Sequence, residues 1–296
     1  MSDGMSEDPR SDAPLAVICG AGSLPYAVAE AARRQGRKVV LFPLRGFADK
    51  AQIESYPHHW VRFGQLGGFC RIARQEGCRD VVFIGSTVRP SLWQIWPDLA
   101  TLRMMPRVIR MFRGGDDHLM SGIMKVFEER GFRPVGAHEI APEILMPEGV
   151  VGRLRPTESH RVDIALGLAL LRAIGPFDVG QGTIVAGGHV LAVEAADGTD
   201  EMLAQVAELR RKGRIRSPGG VLVKAPKPGQ DRRIDLPTIG PQTIAGAARA
   251  GLAGIAVVAG EAIMAEPAVV AAAADQARIF IVGMRPDPVA PRPQAE

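Results

Sequence analysis

The chain has 296 residues, 46% hydrophobic and 23% charged, with a formal net charge of +4. That length predicts two domains, and the balance of residues excludes general disorder. A basic excess this small, with no Lys/Arg run tracking interleaved aromatics, excludes nucleic acid as a partner and fits an anionic ligand or a negatively charged membrane surface.

Cys19, Cys70 and Cys78 are widely spaced and form no Cys-x-x-Cys pair, which excludes a disulfide framework or cysteine zinc site. Residues 1–14 are acidic and small, the reverse of a signal peptide, and no apolar run reaches the roughly 20 residues of a spanning helix. The expectation is a cytoplasmic protein.

Leu15-Ala16-Val17-Ile18-Cys19 reads as a buried parallel strand, followed by Gly20-Ala21-Gly22-Ser23-Leu24-Pro25 and an alanine-rich helix that Gly36 stops. Strands follow at 38–42 and 80–84, the latter leading into Gly85-Ser86-Thr87. Helical spacing covers 99–112 and 117–130. This rhythm predicts a parallel-sheet α/β half. Residues 141–156, with three prolines and two glycines, read as a linker region.

The second half opens with a helix over 158–173, capped by Thr157 or Ser159. Two strands flank a Gly187-Gly188 hairpin turn, and Thr199 is expected to cap a helix running to 211. A strand over 221–224, a helix over 241–250, a strand over 255–258, a helix over 267–274 and a strand over 279–282 follow. This half is also α/β, with an antiparallel element at its centre. The proline-rich 285–296 is expected to be a disordered tail.

Gly20-Ala21-Gly22 lies between a strand and a helix, where backbone N–H groups can meet an anion. A dinucleotide fingerprint would need a third glycine where Pro25 stands, which argues against NAD. A tight turn with no ligand explains the glycines equally well. Gly85 and Ser86 lie on the same sheet edge, suited to a ribose, a base or a helix cap. Asp116 and Asp117 open a helix, where acids favour the dipole.

The densest chemistry is KPGQDRRIDLPTIG at 227–240. Lys224, Lys227 and Arg233 are the cations a pyrophosphate needs, and Asp231 and Asp235 are oxygen donors for Mg²⁺ or a water. A solvated loop with weak Arg–Asp pairs is the alternative. Gln181, Glu194 and Asp200 are further candidates from the hairpin and the helix after it.

Taken together, Gly-Ala-Gly-Ser-Leu-Pro, Gly-Asp-Asp, Asp-Ile-Ala-Leu-Gly at 163–167, Asp-Val-Gly-Gln at 178–181, Val-Glu-Ala-x-x-Gly-Thr-Asp at 193–200 and the 227–240 stretch resemble the LpxI family of UDP-2,3-diacylglucosamine pyrophosphatases. The resemblance spans residues 15–283. It implies a Rossmann-like, parallel-sheet UMP-binding domain over 15–145, a linker over 146–156 and a mixed-sheet catalytic domain over 157–284. It also implies a homodimer acting on a lipid-linked UDP-sugar, with Mg²⁺ (or Mn²⁺ in its place) as cofactor and a transient, peripheral relation to the inner membrane. The Met/Leu/Trp-rich segment 92–111 offers an apolar slot for acyl chains.

On this resemblance, Gly20, Gly22, Ser23, Leu24, Pro25, Gly85, Ser86, Asp117, Thr199 and Gln230 bind substrate. Asp231, Asp235, Lys224, Lys227, Arg233 and Gln181 carry catalysis, and Asp231, Asp235, Glu194 and Asp200 are the metal candidates. A non-catalytic protein that senses UMP or a UDP-sugar is the competing class.

Overall fold

Both halves fold as α/β units in a computed structural model that describes residues 12–87, 95–113, 116–233 and 235–285. Both expected tails lie largely outside the described residues. The first unit comprises the chain up to Pro142 together with Asp231–Asp235. Its elements are β1 (Leu15–Cys19), α1 (Leu24–Arg34), β2 (Val39–Pro43), α2 (Lys50–Ile53), α3 (Leu66–Gln75), β3 (Asp80–Ile84), α4 (Leu99–Arg103), α5 (Met105–Met111), α6 (Asp116–Glu129), β4 (Arg133–Pro134) and α7 (Ala137–Ile140). The strands line up as β2-β1-β3-β4, all parallel.

β1 and β2 are apolar almost throughout because both faces are covered. On one face, Ala16, Val40, Phe42 and Val81 meet Phe69, Cys70 and Ala73 of α3 and Phe127 of α6. On α1, Val28, Ala29 and Ala32 are buried, and the helix packs on β1 and β2. Cys19, Cys70 and Cys78 are buried free thiols. Burial pushes the Cys19 thiol up to about 12, against a hydrogen bond from the Phe42 backbone, so it stays protonated.

Besides the short elements α2, β4 and α7, which are not expected, two larger features differ. Helix α3 forms where none is predicted, and the helix expected over 99–112 is two short ones, α4 and α5, with Met104 between them and Pro106 in the first turn of the second. Proline is tolerated at a helix start but removes a hydrogen bond inside one.

One charged group lies at the heart of this unit. Asp80, wholly buried at the start of β3, accepts from Arg133 Nε and Nη2 at 2.8 Å each and from Arg37 Nη2. Arg37 also donates Nε to the Ala13 carbonyl at 2.8 Å. Asp80 thus ties together the segment before β1, the start of β2 and β4.

The second unit comprises Glu143–Gln230 and Leu236–Glu296. It contains β5 (Gly149–Val151), α8 (Glu158–Ile174), β6 (Gly182–Ala186), β7 (His189–Val193), α9 (Gly198–Arg211), β8 (Val221–Lys224), β9 (Thr238–Ile239), α10 (Pro241–Arg249), β10 (Gly254–Val258), β11 (Ile263–Met264), α11 (Pro267–Ala277) and β12 (Phe280–Met284). The six-stranded sheet runs β5-β12-β10-β8-β6-β7. β8, β10 and β12 are parallel, while β5, β6 and β7 pair antiparallel with their neighbours. The hairpin β6–β7 therefore sits at a sheet edge rather than at the centre. Within 146–156, read above as a linker, Gly149–Val151 forms the other edge strand.

Helices cover both faces of this sheet. Met202, Leu203, Ile244, Ala247, Val270 and Ala274 of α9, α10 and α11 pack on Ile184, Leu222, Ile255 and Ile281. On the opposite face, Ile164 and Leu171 of α8 meet Val221, Val223, Ala256 and Phe280. The approach of α8 is close enough that a Cβ on Gly167 would reach within 2.7 Å of Val223. Thr157 caps α8 by accepting from the His160 amide.

The buried Asp163 carboxylate of α8 accepts from the amides of Gly187 and Gly188 at 3.1 and 2.7 Å. Both glycines have φ above zero, which a two-residue hairpin turn of this kind requires. The Asp-Ile-Ala-Leu-Gly motif thus locks the hairpin to the helix through its first residue and seats the helix on the sheet through its last.

Candidate active site

Strand β8 lies between β6 and β10, and its side chains alternate between the two cores. Lys224 follows Leu222 to the α9 side and is only 6% exposed. Its ammonium donates to Thr199 Oγ1 at 2.8 Å and to the Thr238 carbonyl at 3.3 Å. Thr199 in turn donates to Glu194 Oε1 at 2.8 Å. A buried ammonium and a half-buried carboxylate are thereby joined through one hydroxyl. Glu194 Oε2 is buried and accepts from no described residue.

The sequence around this chain of groups makes room for it. Gly182 pairs with Lys224 in the β6–β8 ladder, and the Glu194 amide donates to the Gly182 carbonyl at 2.8 Å. A Cβ on Gly182 would come within 2.5 Å of Glu194 Oε2, and one on Gly180 would collide with the Glu194 carbonyl. Gln181 stands between these glycines, its carbonyl accepting from the Ala225 amide at 3.0 Å. Thr199 does not cap α9, whose N-cap Asp197 makes no side-chain cap. Its hydroxyl is engaged by Lys224 and Glu194 instead. Asp200, in the first turn of α9, is exposed.

Beyond Lys224, Lys227-Pro228-Gly229-Gln230 folds as a turn, the Gln230 amide donating to the Lys227 carbonyl at 3.1 Å with Gly229 at φ +78°. Gln230 Oε1 accepts from the Lys227 amide at 3.0 Å. Lys227 Nζ is ion-paired with Asp178, a residue absent from the candidate set that holds a left-handed conformation at the end of the short helical turn Gly175–Phe177. It is the first residue of the Asp-Val-Gly-Gln motif at 178–181.

The chain next contributes Asp231–Asp235 to the first unit. Both Asp231 oxygens accept from the Arg233 guanidinium at 2.7–3.1 Å, and Arg233 Nη1 donates to Glu128 of α6 at 3.2 Å. The hydrogen bonds from Arg233 hold the Asp231 carboxyl below its ordinary value, against the opposing effect of burial. A carboxylate so held is a poor proton acceptor and is already occupied by a cation. Asp235 is exposed.

In the first unit, the predicted substrate loops do come together. The Ala21 amide donates to the Ser86 carbonyl at 2.8 Å and the Ser86 amide to the Ala21 carbonyl at 2.9 Å. These two amides are engaged with each other rather than open to a phosphate. A Cβ on Gly20 would fall 2.6 Å from the Ser86 oxygen and 2.7 Å from Gly85 carbon, both backbone atoms. Gly20→Ala should therefore force the loops apart, lowering the urea midpoint of the first unit and speeding hydrogen exchange of the Ala21 and Ser86 amides. Unchanged values would show that the loops yield freely.

Gly22, by contrast, is exposed, with φ +94° and nothing near its Cβ position. Ser23 is the N-cap of α1, Leu24 is half-buried and Pro25 is buried in its first turn. Asp117 lies in the first turn of α6, its side chain outside the described residues. In segment 92–111, Trp96, Leu99 and Leu102 face solvent rather than lining a slot, and residues 92–94 lie outside the described residues.

For a metal, the donor chemistry is selective. Among the described residues no three His, Cys, Asp or Glu side chains cluster. Glu194 Oε2 is a hard, buried oxygen with no donor among the described residues, over a glycine where a Cβ would come within 2.5 Å of it. Such a set fits Mg²⁺ held by one or two carboxylates and completed by phosphate oxygens, not an all-protein cage.

A parallel-sheet α/β unit and a mixed-sheet α/β unit, the second carrying a part-buried lysine–threonine–glutamate chain, define a two-domain α/β protein. A model of the LpxI N-terminal domain matches residues 14–144, and one of the LpxI C-terminal domain matches residues 147–282. The UDP-2,3-diacylglucosamine pyrophosphatase LpxI of Caulobacter vibrioides is 43% identical over 274 residues, covering 92% of this chain and 98% of that relative. The chain belongs to the LpxI family. Among the described residues no helix is long and apolar enough to cross a membrane.

Proposed function

We propose that this chain is a phosphoric anhydride hydrolase that converts UDP-2,3-diacylglucosamine to UMP and 2,3-diacylglucosamine 1-phosphate (lipid X), a step of lipid A biosynthesis. The family and the relative's activity support the substrate. The observation that carries the chemistry is the Lys224–Thr199–Glu194 chain, which joins a buried cation to a carboxylate with one covered oxygen.

Water attacks the sugar-side phosphorus. The new P–O bond becomes part of the lipid phosphate, the bridging P–O bond breaks, and UMP departs with its oxygen. Glu194 Oε2 and Asp235 are the candidates to orient that water or to hold Mg²⁺. When bound, Mg²⁺ supplies neutralising charge to the diphosphate oxygens. Lys224 fixes Thr199, and through it the rotamer of Glu194. Asp231 holds the Arg233 guanidinium in a set orientation through paired hydrogen bonds. Gly20, Gly22, Ser23, Gly85 and Ser86 shape the UMP end.

The full chain with dispersed substrate should release UMP, lose that activity in EDTA and regain it with Mg²⁺ or Mn²⁺. In ¹⁸O-water the label should enter lipid X and not UMP. Asp235→Asn should cost more turnover than Asp231→Asn. A protein that binds the UDP-sugar and releases no UMP would be a sensor, and label in UMP would move the attack to the other phosphorus.

A further inference from the structure

We infer that the surface around α4 and α5 docks on an anionic lipid bilayer. Trp96 and Leu99 are each 63% exposed and Leu102 is 55% exposed, with Ile109 exposed one helix later. Leu99 and Leu102 are three apart on α4 and share a face, and Trp96 lies in the non-helical segment just ahead of it. Large apolar side chains clustered on a surface mark a contact site.

The charges around them specify the partner. From Leu99 to Arg113 the sequence holds Arg103, Arg107, Arg110 and Arg113 and no acid. Arg107 is paired with Glu129 at 2.6 Å, while Arg103, Arg110 and Arg113 are exposed. Asp98, just before α4, is turned inward, its oxygens accepting from the Thr101 and Gly68 amides at 2.9 Å each. Asp116 and Asp117 follow in the next helix. The Arg62 guanidinium lies 5.3 Å from the Trp96 ring centroid.

A tryptophan and leucines flanked by exposed arginines suit the boundary between acyl chains and negatively charged headgroups. A second copy of the same surface would instead bring these arginines into mutual repulsion. The inference extends the proposed lipid substrate to the surface from which it is drawn, but it rests on this face alone and needs no turnover to test.

The test is co-sedimentation of the full chain with substrate-free vesicles. Phosphatidylglycerol/phosphatidylethanolamine vesicles should bind at least tenfold more tightly than phosphatidylcholine vesicles, with a blue shift of tryptophan emission and release at high salt. Arg103→Gln/Arg110→Gln should weaken binding more than tenfold, at about fivefold per arginine. Leu99→Asn/Leu102→Asn should weaken low-salt binding severalfold and diminish the blue shift. Equal binding to both vesicle types, or variants that bind as the parent does, would overturn the proposal. So would a leucine variant that shifts the sedimentation coefficient, since the face would then be a protein–protein interface. UMP release from detergent-dispersed substrate is measured separately, so loss of that activity and loss of vesicle binding are distinct results.

Discussion

Lys224→Met is expected to lower UMP release by about 10²–10³-fold, the usual cost of losing one preorganised donor. Methionine keeps the length and apolar stem of lysine, so the β8 core around Leu222 should survive and the unfolding midpoint should fall little. What disappears is the donor to Thr199 and to the Thr238 carbonyl. Glu194 then loses the arrangement that fixes its free oxygen. Thr199→Val, which removes only the bridging hydroxyl, should reproduce much of the loss while Lys224 remains charged. Lys224→Arg should not restore activity, because a planar guanidinium cannot place one donor on each of these two acceptors from the same buried site. Turnover within threefold of the parent in Lys224→Met would remove this chain of groups from the mechanism.

Asp80→Ala should be the most damaging single change to the stability of the first unit. Arg37 would be left almost fully buried without its carboxylate, a situation that costs about 3–5 kcal/mol. Arg133, partly exposed, can turn toward water. Burial raises the Asp80 carboxyl, but the hydrogen bonds from Arg133 and Arg37 outweigh it and hold the group below its ordinary value. The sign follows from that direction. The contribution is present above the unfolded-state value of about 3.9 and is lost as pH falls through the lower folded value. Urea midpoints of parent and variant, followed by hydrogen exchange of the β1–β3 amides, should differ at neutral pH and converge in strong acid. A constant difference at every pH would assign the loss to packing rather than to charge.

The elements that sequence reveals here are those with strong local signals. β1 is an unbroken apolar run, β3 is one after its first residue, α1 is stopped by Gly36, and Gly187-Gly188 can only turn. Helix α3 escapes because it begins Leu66-Gly67-Gly68, a poor helical start that is held by burial of Phe69, Cys70 and Ala73. β5 escapes because three residues form a strand only where β12 supplies its hydrogen bonds.

The candidate site divides the same way. Lys224, Glu194 and Thr199 are legible as residue types, yet the role of Thr199 is not. A threonine at a helix start usually caps it, and only the tertiary placement of Lys224 redirects its hydroxyl. The partner of Lys227 lies 49 residues away, beyond any local pattern. Asp163 stands in a visible motif, but its task of binding the hairpin amides emerges only once helix and sheet are stacked.

The five residues Asp231–Asp235 carry a consequence for how this chain can be divided. Severed after Pro142, the N-terminal fragment would lack Arg233, and Glu128 would lose its guanidinium. The complementary fragment would carry a strip of side chains whose proper home is elsewhere. Neither half can be exchanged with a relative's as a self-sufficient cassette unless that short strip is matched to the new α6, so chimeras should tolerate a joint near 142 only when 231–235 is taken from the same parent as the first 142 residues.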